Sequence, residues 1–175
     1  MKLLYSQCTE ADLPKAVDFV NAAYRGDSSK AGWTTEESLL GGQRTDIEML
    51  RTLCTSPGNQ IWLAREDVFG ALVGLFHLEN SPEKTFLGML TVAPESQDAG
   101  IGKLLIAKAE DLARTQWNLK ELHMTVISLR HELIAYYQRR GYLPTGEKKD
   151  FPMNDPRYGI PKRNDFHLLV LKKSL

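Results

Sequence analysis

Apolar positions in the first third of the chain recur at helical spacing, and from about residue 60 they switch to strand-like runs and alternation. Residues 2–8 read as a short first strand. Thr9, with Asp12 three positions on, is placed to cap a helix, because the aspartate can reach back to unpaired backbone N–H groups. Leu13, Ala16, Val17, Val20, Ala23 and Tyr24 then form one apolar stripe. The polar, small stretch 25–32 should stop this helix. Thr34 with Glu37 and Thr45 with Glu48 repeat the capping spacing. They predict a short helix over 34–40, ended by Gly41-Gly42, and another from 45 that ends before Pro57-Gly58.

Residues 60–65, 71–79 and 85–92 read as consecutive strands, separated by turn residues at 67–70 and 80–82, the spacing of an antiparallel meander. A helix follows from 102 to about 117, with Leu105, Ile106, Ala109, Leu112 and Ala113 on its buried face. Residues 121–127 alternate as a strand. Residues 128–140 read as a helix, with Ser128 as its cap and Gly141 as its left-handed stop. Strands from 142 and over 166–171 complete the pattern. Between them runs the polar segment 151–165, long enough to carry function. The order implies an α/β (α+β) chain, one domain over 1–175, with a central mixed, mostly antiparallel sheet and helices on both faces.

Composition narrows the class. Apolar residues make up 42% and charged ones 25%, and 22 basic residues balance 22 acidic ones. This is a globular balance, without the polybasic excess of a nucleic-acid binder. No apolar run approaches the roughly 20 residues of a membrane span, and residues 1–5 lack a signal-peptide layout, so the cytoplasm is expected. Cys8 and Cys54 lie outside any metal-ligand spacing and read as small hydrophobes, so no metal is expected.

The candidate chemistry sits in Leu90-Thr91-Val92-Ala93-Pro94-Glu95-Ser96-Gln97-Asp98-Ala99-Gly100-Ile101-Gly102-Lys103, a strand that turns through glycines into a helix. At such a junction the first-turn N–H groups are unpaired and the helix dipole adds positive charge, which suits a pyrophosphate. Lys103 is followed by Leu104, not Ser or Thr, so a Walker loop fails; position 105 is Leu, so a dinucleotide fingerprint also fails.

Gln97-x-x-Gly100-x-Gly102 after Leu-x-Val-x-Pro resembles motif A of the GNAT (Gcn5-related N-acetyltransferase) family. The later run Tyr136-Tyr137-Gln138-Arg139-Arg140-Gly141-Tyr142 is similar to that family's second signature. The resemblance extends over essentially the whole chain. It implies the GNAT acyl-CoA N-acyltransferase fold, acetyl-CoA as cofactor and a small-molecule or peptide amine as acceptor, with neither nucleic acid nor membrane as partner. Dimers are common in such proteins, so a homodimer is an open expectation.

By the same resemblance, backbone groups of Leu90 and Val92 would bind the pantetheine arm. Gln97, Asp98, Ala99, Gly100, Ile101, Gly102 and Lys103 would hold the pyrophosphate, and Tyr137 would protonate the leaving thiolate as general acid. The chain departs from the family pattern in three places. Asp98 adds negative charge beside the pyrophosphate, which shifts weight to Lys103. Arg130 stands where many members carry Asn, and either reaches a phosphate or is solvated. No carboxylate occurs in 85–92, where some members place a base.

His77, Glu79 and His123 are the remaining base candidates, beside a water relay. His77 and Glu79 share a strand face and, with Trp33, are candidate acceptor contacts. The segments 25–36 and 151–165 would form the acceptor walls. The alternative function is a non-catalytic acyl-CoA-binding module of the same fold.

Overall fold

The computed structural model describes residues 2–68, 70–82 and 85–175, so position 69 of the expected turn at 67–70 lies outside it. The chain begins with β1 (Leu4–Gln7), a one-turn 3₁₀ segment, α1 (Leu13–Tyr24) and the short α2 (Gly26–Ser29). The Asp12 carboxylate accepts from the Thr9 N–H at 2.9 Å and from its hydroxyl at 2.7 Å, which closes the expected capping box. Next come β2 (Leu40–Gly41), α3 (Ile47–Thr55), β3 (Asn59–Arg65), β4 (Leu72–Asn80) and β5 (Thr85–Val92). A 3₁₀ turn leads into α4 (Ile101–Trp117), followed by β6 (Glu121–Ile127), α5 (His131–Gln138), β7 (Leu143–Lys149), β8 (Ile160–Pro161) and β9 (Leu168–Ser174).

Seven strands form one sheet in the order β1-β3-β4-β5-β6-β9-β7. Every pairing in it is antiparallel except β5 with β6. The period-two alternation sorts side chains between two cores. Ile61, Leu63 and Leu75 pack with Leu13, Val20 and Leu50 from α1 and α3. Phe76, Leu78 and Leu87 pack with Ile101, Leu105 and Leu112 of α4. The mixed sheet with helices on both faces is thus the architecture. Among the described residues no helix is long and apolar enough to cross a membrane.

Three expectations are corrected. No helix forms over 34–40: Thr34 Oγ1 accepts from Gln97 Nε2 at 2.7 Å instead of capping. Leu40 and Gly41 pair with Pro161 and Ile160 as the two strands of a small sheet. Tertiary partners claim the capping residues, and two glycines in a row leave little helix to defend. At α3 the cap is Asp46, whose Oδ1 accepts from Met49 N at 2.8 Å, rather than Thr45. Helix α5 starts at His131, not after Ser128, because the Ser128 hydroxyl is turned to the His167 N–H at 3.2 Å. Gly141 does adopt the left-handed conformation, φ 88°. Cys8 is partly buried, and burial beside Cys54 pushes its thiol up to about 12, so it remains protonated at neutral pH.

Candidate functional site

The glycine turn reaches α4 in a geometry that exposes backbone donors. Gly100 sits at φ 78°, with nothing within 4 Å of where a Cβ would stand. The Lys103 and Leu104 N–H groups both turn to the Gly100 carbonyl, at 3.1 and 3.4 Å. Ile101 and Gly102 lie too early in the helix to reach an intrahelical carbonyl, and the dipole is positive at this end. Lys103 is exposed, and its ammonium makes no ion pair among the described residues; Asp98 is exposed on the same turn. The Gln97 side chain is committed elsewhere. It accepts from the Trp33 and Thr34 N–H groups at 2.9 and 3.3 Å and donates to the Val92 carbonyl at 3.3 Å, pinning the 30s segment to the end of β5.

Gly102 is required by packing from α5. A Cβ there would stand 2.7 Å from the Tyr136 hydroxyl. The Tyr136 ring lies between the Trp33 ring, at 5.3 Å, and the Arg140 guanidinium, whose carbon is 3.4 Å from the ring centroid. A fixed cation therefore stands beside the turn. An open αL glycine, unpaired first-turn amides and a free lysine fit the pyrophosphate of CoA.

From this turn the sheet opens. β5 and β6 pair only at Phe86 and His123, so beyond that point the two strands diverge. The gap is a chamber of about 280 Å³ lined by both strands, by Tyr24, Arg25, Glu36, Arg44, Arg130 and Tyr137, and by the 151–158 segment. Opposite Phe76, β5 carries one extra residue, so Met89 and Leu90 form a bulge with Met89 at φ 49°. The Leu90 carbonyl turned out by the bulge accepts from the buried Tyr24 hydroxyl at 2.6 Å.

Tyr137 is buried, lines the chamber, and has no hydrogen-bond partner for its hydroxyl among the described residues. Burial, and then the neighbouring phenols of Tyr24 and Tyr136, push its pKa well above the ordinary phenol value.

The chamber wall holds a charged group of three. Arg25 Nη1 donates to Glu36 Oε2 at 2.5 Å, and Arg130 Nη1 stands 3.8 Å from Glu36 Oε1. Arg130 also donates to the Trp33 carbonyl at 3.3 Å, so it bridges Glu36 and the 30s segment instead of being solvated. Arg25 Nη2 reaches the Tyr158 carbonyl at 3.2 Å, and Lys162 Nζ reaches Glu37 at 2.7 Å. These bonds, with the β2–β8 pair, join the two polar segments across one side of the chamber.

His77 and Glu79 line a groove that borders the chamber at Gly88. His77 Nε2 bonds Asn59 Oδ1 at 2.8 Å, and its Nδ1 points to Gly88, 3.5 Å from where a Cβ would be. Since Asn59 Nδ2 already donates to the Pro57 carbonyl at 3.2 Å, its oxygen accepts from His77 Nε2–H, which leaves Nδ1 as an acceptor. Burial first, and Arg44 second, lower the His77 pKa to about 4, so the ring is neutral but weakly basic. His123 is buried against the Phe86 ring, at 5.7 Å, away from the chamber. Among the described residues no cluster of His, Cys, Asp or Glu could hold a metal ion.

The sequence pattern missed Arg25, Glu36, Arg44 and Arg140 as individual residues, and it counted Tyr24 only as core. For Arg25 and Glu36 the convergence depends on contacts more than ten residues apart, whereas Arg140 meets Tyr136 at i, i+4, a helical spacing that was open to reading.

The sequence profile of the acetyltransferase (GNAT) family matches residues 20–142. Nothing among curated protein sequences matches the chain. Among solved structures, an N-acetyltransferase from Staphylococcus aureus Mu50 superposes with a TM-score of 0.71 at 15% identity, covering 99% of this chain and 98% of that one. A spermidine/spermine N-acetyltransferase from Vibrio cholerae gives 0.68 at 14% identity, covering 99% and 92%. An IAA acetyltransferase from Bacillus cereus ATCC 14579 gives 0.66 at 17% identity, covering 99% and 100%. At these identities the superpositions establish the shared fold, and with a profile match over most of its length the chain belongs to the GNAT acetyltransferase family.

Proposed function

We propose that the 175 residues form one acetyl-CoA-dependent N-acetyltransferase domain that works on a soluble amine in the cytoplasm. The observation that carries the reading is the chamber between the diverging strands, lined by Leu90 of the strand that leads into the glycine turn and by Tyr137. Acetyl-CoA supplies an acyl carbon activated as a thioester. Ile101, Gly102 and Lys103 bind its pyrophosphate, and the edge of β5 offers backbone groups to the pantetheine arm. The Leu90 carbonyl is already engaged by Tyr24, so that edge is held rigid.

When the amine nitrogen bonds to the acyl carbon and the carbon–sulfur bond breaks, the amine sheds a proton and the sulfur needs one. Tyr137 holds a proton on Oη and donates it toward the departing sulfur. The burial that raises the phenol would also raise a thiol beside it, which keeps the two proton affinities close. Among the described residues no strong base faces the chamber. Glu36 is held by two arginines, and His77 accepts a hydrogen bond but is too weakly basic to store a proton at neutral pH. Water in the groove beside His77 therefore takes the amine proton.

Calorimetric titration of the protein with acetyl-CoA, followed by thiol release with an amine panel, tests this reading. Binding should weaken roughly 10- to 100-fold in Lys103→Glu, the worth of a charge-assisted contact. No binding by the unmodified protein overturns the assignment. Binding without turnover on any amine leaves the non-catalytic acyl-CoA module as the function.

A further inference from the structure

Resting on the acetyltransferase reading, we propose that the acceptor is an amine that also carries a carboxylate, and that Arg44 binds the carboxylate. Arg44 lines both the chamber and the groove formed by α3, His77, Gly88 and Tyr158, so it stands where an acceptor must pass. Its backbone is fixed by one side chain of α1. Asn21 Oδ1 accepts from the Arg44 and Thr45 N–H groups at 2.7 and 3.1 Å, and Asn21 Nδ2 donates to the Thr45 carbonyl at 3.0 Å. Its guanidinium carbon lies 5.7 Å from the centroid of the Tyr24 ring, and Tyr24 is in turn tied to Leu90.

Yet the guanidinium has no ion pair and no hydrogen bond among the described residues. The carboxylates around it are already committed. Glu36 holds Arg25 and Arg130, Asp46 caps α3 and accepts from Gln43, Glu48 pairs with Arg51, and Asp155 holds Arg157. Among the described residues three arginines thus face the one carboxylate of the chamber, and Arg44 is the one with no pairing to it, its planar fork suited to receive a carboxylate in two parallel bonds. Its charge is felt locally, since it contributes to holding His77 neutral. A polyamine would bring positive charge to a wall whose described carboxylates, Glu36, Asp46 and Glu48, are already engaged.

The test compares matched acceptor pairs by thiol release from acetyl-CoA: α- and ω-amino acids of increasing length, and glycylglycine, each against its carboxamide, with spermidine as a polycation. The carboxylate member of the best pair should lead its amide by roughly 10- to 100-fold in kcat/KM, mostly through KM. In Arg44→Gln that ratio should fall toward 1, and in Arg44→Lys it should be intermediate. Acetyl-CoA affinity should be unchanged in both variants and Tm should move little, because the one contact of the Arg44 guanidinium among the described residues is the face of the Tyr24 ring at 5.7 Å. A purely structural Arg44 would lower turnover of both members equally. Equal or better turnover of amides or spermidine by the unmodified protein overturns the inference while the acetyltransferase stands. Binding of acetyl-CoA with no acceptor turned over sinks the acetyltransferase reading itself, and this inference with it.

Discussion

Replacing Tyr137 by Phe removes one oxygen from the chamber and separates the two roles that a buried tyrosine can have. The hydroxyl has no hydrogen-bond partner among the described residues, so no intramolecular bond is lost and no buried partner is orphaned. The ring keeps its edge-on contacts with Tyr136 at 5.5 Å and Tyr142 at 6.3 Å. Stability should therefore move by no more than about 0.5 kcal/mol, which for a chain of this size is a Tm change of about 1–2 °C.

Turnover should behave differently. Loss of a positioned proton donor typically costs about 10²- to 10⁴-fold in rate, so kcat should fall by that order while acetyl-CoA affinity is retained. The pH profile gives a second check. Burial raises the phenol above its ordinary value of 10, so the donor stays protonated to the alkaline end of the assay range. The unmodified enzyme should show no loss of kcat from this group as pH rises to about 10. Steady-state thiol release, calorimetry and thermal melts on both proteins make the comparison. Full turnover in Tyr137→Phe, or a Tm loss that accounts for the whole defect, would refute the argument.

Two stability predictions follow from other buried groups. Glu110, on α4, accepts from Lys173 Nζ at 2.7 Å and from the Tyr142 hydroxyl at 3.0 Å, so Glu110→Ala strands both partners. The cost should be about 3 kcal/mol, at the low end for a broken buried pair because Lys173 is partly exposed, with a Tm lower by about 6–12 °C in a thermal melt. For His77 the folded pKa of about 4 lies below the unfolded 6.5, so its neutral form is favoured by folding. That contribution is intact above pH 6.5 and lost as pH falls toward 4. Urea titrations should show about 2.5 kcal/mol of His77-dependent stability lost between pH 7.5 and 4.5, and this increment should be missing from His77→Gln.

Local chemistry made a large part of this protein legible. The glycine turn before α4 could be read because a left-handed residue followed by a 3.6-residue apolar period has one usual outcome, and Gly100 and Ile101 adopt it. The strand limits of 85–92 and 121–127 also match the structure, since both are apolar, β-branched runs bounded by turn residues. The capping spacing at Thr34 misled, since a cap is worth only about 1 kcal/mol and Gln97 offered Thr34 a tertiary partner.

The charged lining of the chamber belongs to the tertiary structure alone. Arg25 meets Glu36 eleven positions on, Arg130 comes back to Glu36 from α5, and Asn21 holds Arg44 from another element. None of these pairs lies at a helix or strand repeat, so no periodicity announces them. They form because the sheet parts between β5 and β6 and brings polar loops from both ends of the chain over the opening. The sequence by itself determined the glycine turn before α4 and the strand and helix that flank it, which rest on backbone geometry within a few residues. The walls of the chamber were decided only when distant segments packed, because ion pairing depends on position in space and not on spacing along the chain.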